Sequence, residues 1–186
     1  ENEFGWWRIE GGKVNFDYYG IAENEYGWWK IEGGKVNFDY TGLADSDNGR
    51  MYVSNGGVDF GYTNVIQDGD VWVYVENGKV RYDYTGIREN ANGWWKIESG
   101  IVNFKFTGIA SNENGEFYIK DGKVDFDYSG TINQSDCIYT VKSGWVVSKE
   151  GISGIIKGVD VSHHNNDNGE GVLNWAEVAN AGYKFA

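Results

Sequence analysis

The sequence has no proline, one cysteine, one methionine and very little leucine. An ordinary chain of this length would carry roughly nine prolines, at about 5% usage. The lack of leucine argues against a helical bundle. Cys137 stands alone, which excludes an internal disulfide and says little about redox compartment. No apolar run approaches the ~20 residues of a membrane-spanning helix, so no membrane insertion is expected. Basic residues are scarce too: 16 face 28 acidic ones, for a net charge of −12. A chain this acidic, with no basic patch, is a poor partner for nucleic acid or an anionic membrane. No leader or anchor is visible, and residue 1 falls inside a repeated pattern, so we expect a piece of a longer polypeptide.

Glycine and aromatic residues are what the sequence has in excess. Its 186 residues include 28 Gly, 9 Trp, 13 Tyr and 9 Phe. So many rings could hardly stay solvated, which argues against disorder. Many glycines among β-favouring residues point to short strands and tight turns.

Self-comparison then settles the architecture. Residues 23–44 nearly duplicate residues 1–22, and the 22-residue spacing continues without insertion. Seven copies fall in register, the last degraded after Trp145. Gly5-Trp6-Trp7, Gly27-Trp28-Trp29 and Gly93-Trp94-Trp95 open the clearest ones. Within copy 2, two alternating segments, residues 28–32 and 35–40, flank Gly33-Gly34. Other copies place Asn55-Gly56, Asn77-Gly78, Ser99-Gly100 or Asp121-Gly122 there. These pairs suit a two-residue type I′ turn, whose central residues both need positive φ. Each copy therefore predicts a β-hairpin, and the eight-residue connections, rich in Gly, Asn, Asp and Glu, predict loops.

Strand alternation sorts the columns by face. The second tryptophan column reads Trp7, Trp29, Met51, Val73, Trp95, Phe117, Tyr139 and predicts core. The columns of Ile31, Val36, Phe38 and Tyr40 are assigned with it, and those of Lys30, Asn37 and Asp39 to solvent. The first tryptophan column differs: Trp6, Trp28, Arg50, Trp72, Trp94, Glu116, Ile138. A position that accepts Arg and Glu is not core, so Trp6, Trp28, Trp72 and Trp94 are expected to be exposed. Indole faces stack on sugars and on quaternary ammonium groups, which makes these four the candidate ligand-binding residues. The alternative is that they only shield the next hairpin. A lone hairpin is marginal in water, so the array should stack as a solenoid with nearest-neighbour contacts.

Residues 27–42 spell Gly-Trp-Trp-Lys-Ile-Glu-Gly-Gly-Lys-Val-Asn-Phe-Asp-Tyr-Thr-Gly. Over residues 1–150 this resembles the choline-binding and cell-wall-binding repeats of Gram-positive surface proteins. The resemblance implies an all-β fold, a left-handed spiral of hairpins, with ligand sites between successive copies. Trp28's column matches the family's Gly-Trp tryptophan. The second strand departs: the family typically carries Trp-Tyr-Tyr where this chain has Val36-Asn37-Phe38-Asp39-Tyr40. One wall of a choline cage is therefore not carried over. The ligand class stays open between cell-wall polysaccharide, teichoic acid and choline-like groups.

Composition changes after Glu150. Residues 151–157 read as a linker, and residues 158–186 as an incomplete βα fragment. There, Asp160-Val-Ser-His-His-Asn165, then Asn174-Trp175, then Ala181-Gly-Tyr-Lys-Phe185 resemble the start of a glycoside hydrolase family 25 muramidase. The resemblance implies that Asp160 lines an active site whose carboxylate pair lies later in that domain. Glycoside hydrolysis normally needs two carboxylates, so Asp160 alone predicts no activity. The fragment's unpaired strand could pair with a neighbouring molecule.

Weaker signals fall away. His163 and His164 would point to opposite faces of a strand, and no metal or cofactor is expected. Asp45-Ser46-Asp47-Asn48-Gly49 lacks the closing Glu of a calcium-binding EF-hand loop. Cys137 occupies a glycine column as a small filler. Three readings remain: an extracellular, wall-associated binding array that anchors a peptidoglycan hydrolase; part of an enzyme of the lysozyme type; or a passive stalk.

Overall fold

The computed structural model describes residues 2–151, together with the backbone of residues 157–158 and 183–185. Every regular element among them is a β-strand. Asp160, the histidine pair and nearly all of the expected linker and barrel fragment lie outside the described residues.

Copy 2 shows the unit. The five-residue strand Gly20–Asn24 pairs antiparallel with the six-residue strand Gly27–Glu32, which then pairs with the two-residue strand Lys35–Val36. The same trio recurs through Gly108–Asn112, Gly115–Lys120 and Lys123–Val124. The fold is therefore an all-β solenoid of repeated hairpins. All seven expected I′ turns carry positive φ at both centres, from Gly11 (56°) and Gly12 (76°) to Ser143 (47°) and Gly144 (78°).

Two expectations about the strands are corrected. The inter-hairpin connection is not a loop: Gly42–Ser46 is a strand across from Gly49–Ser54, and the turn lies between them. The hairpin after the I′ turn is correspondingly short. Its second strand stops at Val36 because Asn37 Oδ1 accepts the Asp39 N–H at 3.0 Å and bends the chain. Period-two alternation ends there, so Phe38 does not join the core. It is 43% exposed, and Phe16, Phe60, Tyr82, Phe104 and Phe126 are exposed likewise.

Copies are joined by backbone. Lys30 N donates to Gly56 O at 2.8 Å and Gly56 N to Tyr40 O at 2.9 Å; equivalent pairs link Tyr52 to Gly78, Tyr74 to Gly100 and Lys96 to Gly122. The I′ glycine thus tucks beneath the preceding copy. A Cβ on Gly100 would sit 2.6 Å from Arg81 O, whereas one on Gly12, in the first described copy, would meet nothing among the described residues. Positive φ explains the glycine in part, and this close approach supplies the rest. Side chains add a second tie: Thr85 Oγ1 accepts the Ser99 N–H at 3.1 Å, as Thr41, Thr63, Thr107 and Ser129 do in their copies.

The core is a chain of small clusters, such as Ile87, Phe117, Ile119 and Val124, rather than one interior. The Lys30 column, expected in solvent, is also largely covered. Tyr74 is 2% and Lys96 7% exposed, because this column packs on the Tyr40 column of its own copy. Tyr52 stacks on Tyr62 at 3.6 Å, and Lys30 Nζ lies 5.4 Å from the Tyr40 ring centroid. Burial pushes the Tyr40 and Tyr74 phenols above their ordinary pKa.

Candidate functional site: aromatic junctions between copies

The four tryptophans of the first column are not exposed. Trp6, Trp28, Trp72 and Trp94 are all half-buried, each at the contact with the following copy. Trp28 packs on Ile21, Ala44, Met51 and Val53; Trp72 on Val65, Tyr74, Ile97 and Val102. A column that tolerates Arg and Glu is thus still a packing position, because the junction can be closed by ion pairs instead of rings.

At each tryptophan junction the ring from one copy meets two positions of the next. Trp6 stands 5.0 Å from Trp29 and 5.7 Å from Phe38, with Trp29 and Phe38 5.6 Å apart. Trp72, Trp95 and Phe104 repeat this triangle at 5.1, 6.2 and 5.7 Å. Trp94 meets Phe117 at 5.2 Å and Phe126 at 5.8 Å, and Trp28 meets Phe60 at 5.8 Å beside Met51. Most of these pairs are edge-on or tilted, the arrangement favoured by ring quadrupoles. The third ring of these junctions comes from the exposed Phe38 column, in the segment after the second strand. The period-two reading had placed that column inside, and the Asn37 turn signal could have shown otherwise.

The turn before each second tryptophan fixes that indole. Asn24 Oδ1 accepts both the Tyr26 N–H at 2.9 Å and Trp29 Nε1–H at 3.0 Å. Asn2 serves Trp7 and Asn90 serves Trp95 in the same way. Carboxylates lie close by: Glu23 is the cross-strand partner of Trp28, and Glu89 of Trp94. An open cavity of about 400 Å³ at the first junction is lined by Trp6, Trp29, Tyr26, Glu23 and Glu25, among others. A smaller one, about 110 Å³, borders Trp94, Glu89, Glu113 and Arg88, whose guanidinium pairs with Glu113.

The chain's own ammonium groups already sit on these rings. Lys35 Nζ lies 5.4 Å from the Trp7 ring centroid, and Lys123 Nζ 5.4 Å from that of Trp95. Such distances fall within the ~6 Å of a cation–π contact. Chemically, the junctions offer half-covered indole and phenyl faces with acidic neighbours, a surface suited to organic cations or to the apolar faces of sugars.

Among the described residues no helix is long and apolar enough to cross a membrane. Comparison with known proteins agrees with the repeat architecture. No curated protein matches the chain. Among solved structures, the chain is similar to choline binding protein F from Streptococcus pneumoniae, at 20% identity and a TM-score of 0.32. That similarity covers 73% of this chain and 43% of that one, so the chain spans less than half of that protein's length. The sequence profile of the choline-binding repeat matches residues 1–15, 17–37, 39–59, 61–81, 83–103 and 105–125, more than half of the whole. One matched block for each of six successive copies, over the junctions just described, makes the chain a member of the choline-binding repeat family.

Proposed function

We propose that the array is a non-catalytic cell-wall-binding module of an extracellular bacterial protein, and that its junctions hold choline-like groups of a teichoic-acid-type polymer. The observation that carries this reading is the pair of three-ring junctions, Trp6–Trp29–Phe38 and Trp72–Trp95–Phe104, with the chain's own ammonium groups on neighbouring indole faces. A quaternary ammonium is a softer, less hydrated cation than a lysine and suits half-covered rings better. Membership of the choline-binding repeat family supports the same ligand class. Each junction need bind only weakly, since tethered sites act at high effective concentration.

The array is further proposed to anchor a peptidoglycan hydrolase of the muramidase type. The parallel pairing of Lys157–Gly158 with Tyr183–Phe185 supports a first and second strand of a βα unit, because parallel neighbours need a long crossover between them. Asp160 is its proposed active-site aspartate.

Co-sedimentation with purified Gram-positive walls tests the binding reading. Retention on intact walls, release by millimolar choline and loss after removal of the attached glycopolymers are expected. Retention insensitive to choline would replace the cation with a glycan, and no retention on any wall would leave a stalk.

A further inference from the structure

The junction between copies 3 and 4 departs from the others at several linked positions. Arg50 stands where Trp6, Trp28, Trp72 and Trp94 stand, Val73 where Trp29 and Trp95 stand, and Asp68 where Asn24 and Asn90 stand. Its guanidinium donates to Asp45 Oδ1 and to Asp68 Oδ1, both at 2.8 Å. Asp45 is its cross-strand partner, as Glu23 is for Trp28. Asp68 belongs to the next copy's turn, at the residue whose side-chain oxygen otherwise holds the second indole. A guanidinium has thus replaced a ring, and the carboxylates that would attract a ligand's charge already have a partner.

We propose that Arg50 is a built-in cation that closes this junction to external cations, so that the ligand-competent junctions fall into two separated groups, copies 1–3 and copies 4–6. This rests on the reading that the other junctions take choline-like groups. Three features close it. The two indoles are missing, the guanidinium occupies the first indole's own place, and Asp45 and Asp68 are both paired with it. At the other junction without a first-column tryptophan a carboxylate stands in that column instead, Glu116, 3.8 Å from Lys149 Nζ. The closed junction sets a spacing that a continuous row of sites would not have.

The test uses the full chain and choline. In an NMR titration, the indole N–H signals of Trp6, Trp28, Trp72 and Trp94 should shift while the Arg50 Nε–H signal stays in place. An Arg50 shift that saturates with the indoles would overturn the proposal. Equilibrium dialysis of the triple variant Arg50→Trp, Asp68→Asn, Val73→Trp should then show one more bound choline per chain than the unaltered protein. An unchanged count in a folded variant would also overturn it. Failure of every indole to shift would instead sink the choline reading, and that outcome is distinguishable from either of these.

Discussion

Copies 4 and 5 meet through three rings, and copies 3 and 4 through one guanidinium held by two carboxylates, yet both junctions carry the same backbone bonds. Tyr52 N reaches Gly78 O at 2.8 Å across the ionic junction, and Tyr74 N reaches Gly100 O at 2.8 Å across the aromatic one. The backbone therefore sets the geometry of the stack, and side chains decide what each junction can do. That division lets one column hold Trp, Arg or Glu without a change of fold, and it makes the two kinds of junction separable by experiment.

The largest effect should come from removing a ring at an aromatic junction. Phe117 is 0% exposed and touches both Trp94 and Trp145. Phe117→Ala should cost ~3–5 kcal/mol, as large core truncations do. Urea unfolding followed by tryptophan fluorescence reads it, and a loss below about 1 kcal/mol would show that backbone pairing alone holds the stack.

Next comes the backbone contact that the junctions share. Gly100→Ala forces a Cβ against Arg81 O at 2.6 Å, while Gly12→Ala meets only its own positive φ. Both variants bear the left-handed strain of about 1 kcal/mol. Only the first adds overpacking, roughly 1–3 kcal/mol more. Equal melting losses for the two would mean that the close approach relaxes freely.

Arg50→Ala should cost less, about 1–2 kcal/mol, because it leaves the half-buried Asp68 without its partner. The comparison sharpens in salt. In 1 M NaCl, where charges are screened within about 3 Å, the Arg50→Ala deficit should shrink and the Phe117→Ala deficit should not. Equal salt responses would erase the distinction between the two kinds of junction.

The period, the seven I′ turns and the stacking were legible in the sequence because a Gly-second turn pair every 22 residues admits few alternatives. The strand Gly42–Ser46 was not. Gly-Leu-Ala-Asp-Ser has no β-branched or aromatic residue, and it is a strand only because Gly49–Ser54 pairs with it. The four candidate tryptophans were found at the junctions, but their burial was misread, since tolerance of Arg50 and Glu116 looked like exposure. Phe38 was missed as a junction ring for the opposite reason: alternation was carried past the point where Asn37 ends the strand.

Copy 4 offers the finest version of the same comparison. In copy 2, Asn37 donates to Glu32 at 2.9 Å, and this bond is the chief reason the Glu32 carboxyl lies below its ordinary pKa. Copy 4 places Arg81 in that column. Its guanidinium reaches Glu76 and takes Asp83 through Nε at 2.8 Å and Nη2 at 2.9 Å. Asp83 is held down to about 2, chiefly by those hydrogen bonds. An unfolded aspartate titrates near ~3.9. The folded value is the lower one, so whatever the pair contributes is complete above about pH 4 and is lost as pH falls through about 2. The carboxylate is exposed, so the pKa itself is the readout. Carbon-detected NMR should find the Asp83 midpoint near 2 in the unaltered chain and back in the ordinary carboxylate range after Arg81→Asn. Strong salt should move the first value part of the way toward the second. If Asp83 already titrates normally in the unaltered chain, the Arg81 fork is not populated in solution, and the turn of copy 4 is held by backbone bonds such as Tyr84 N to Arg81 O.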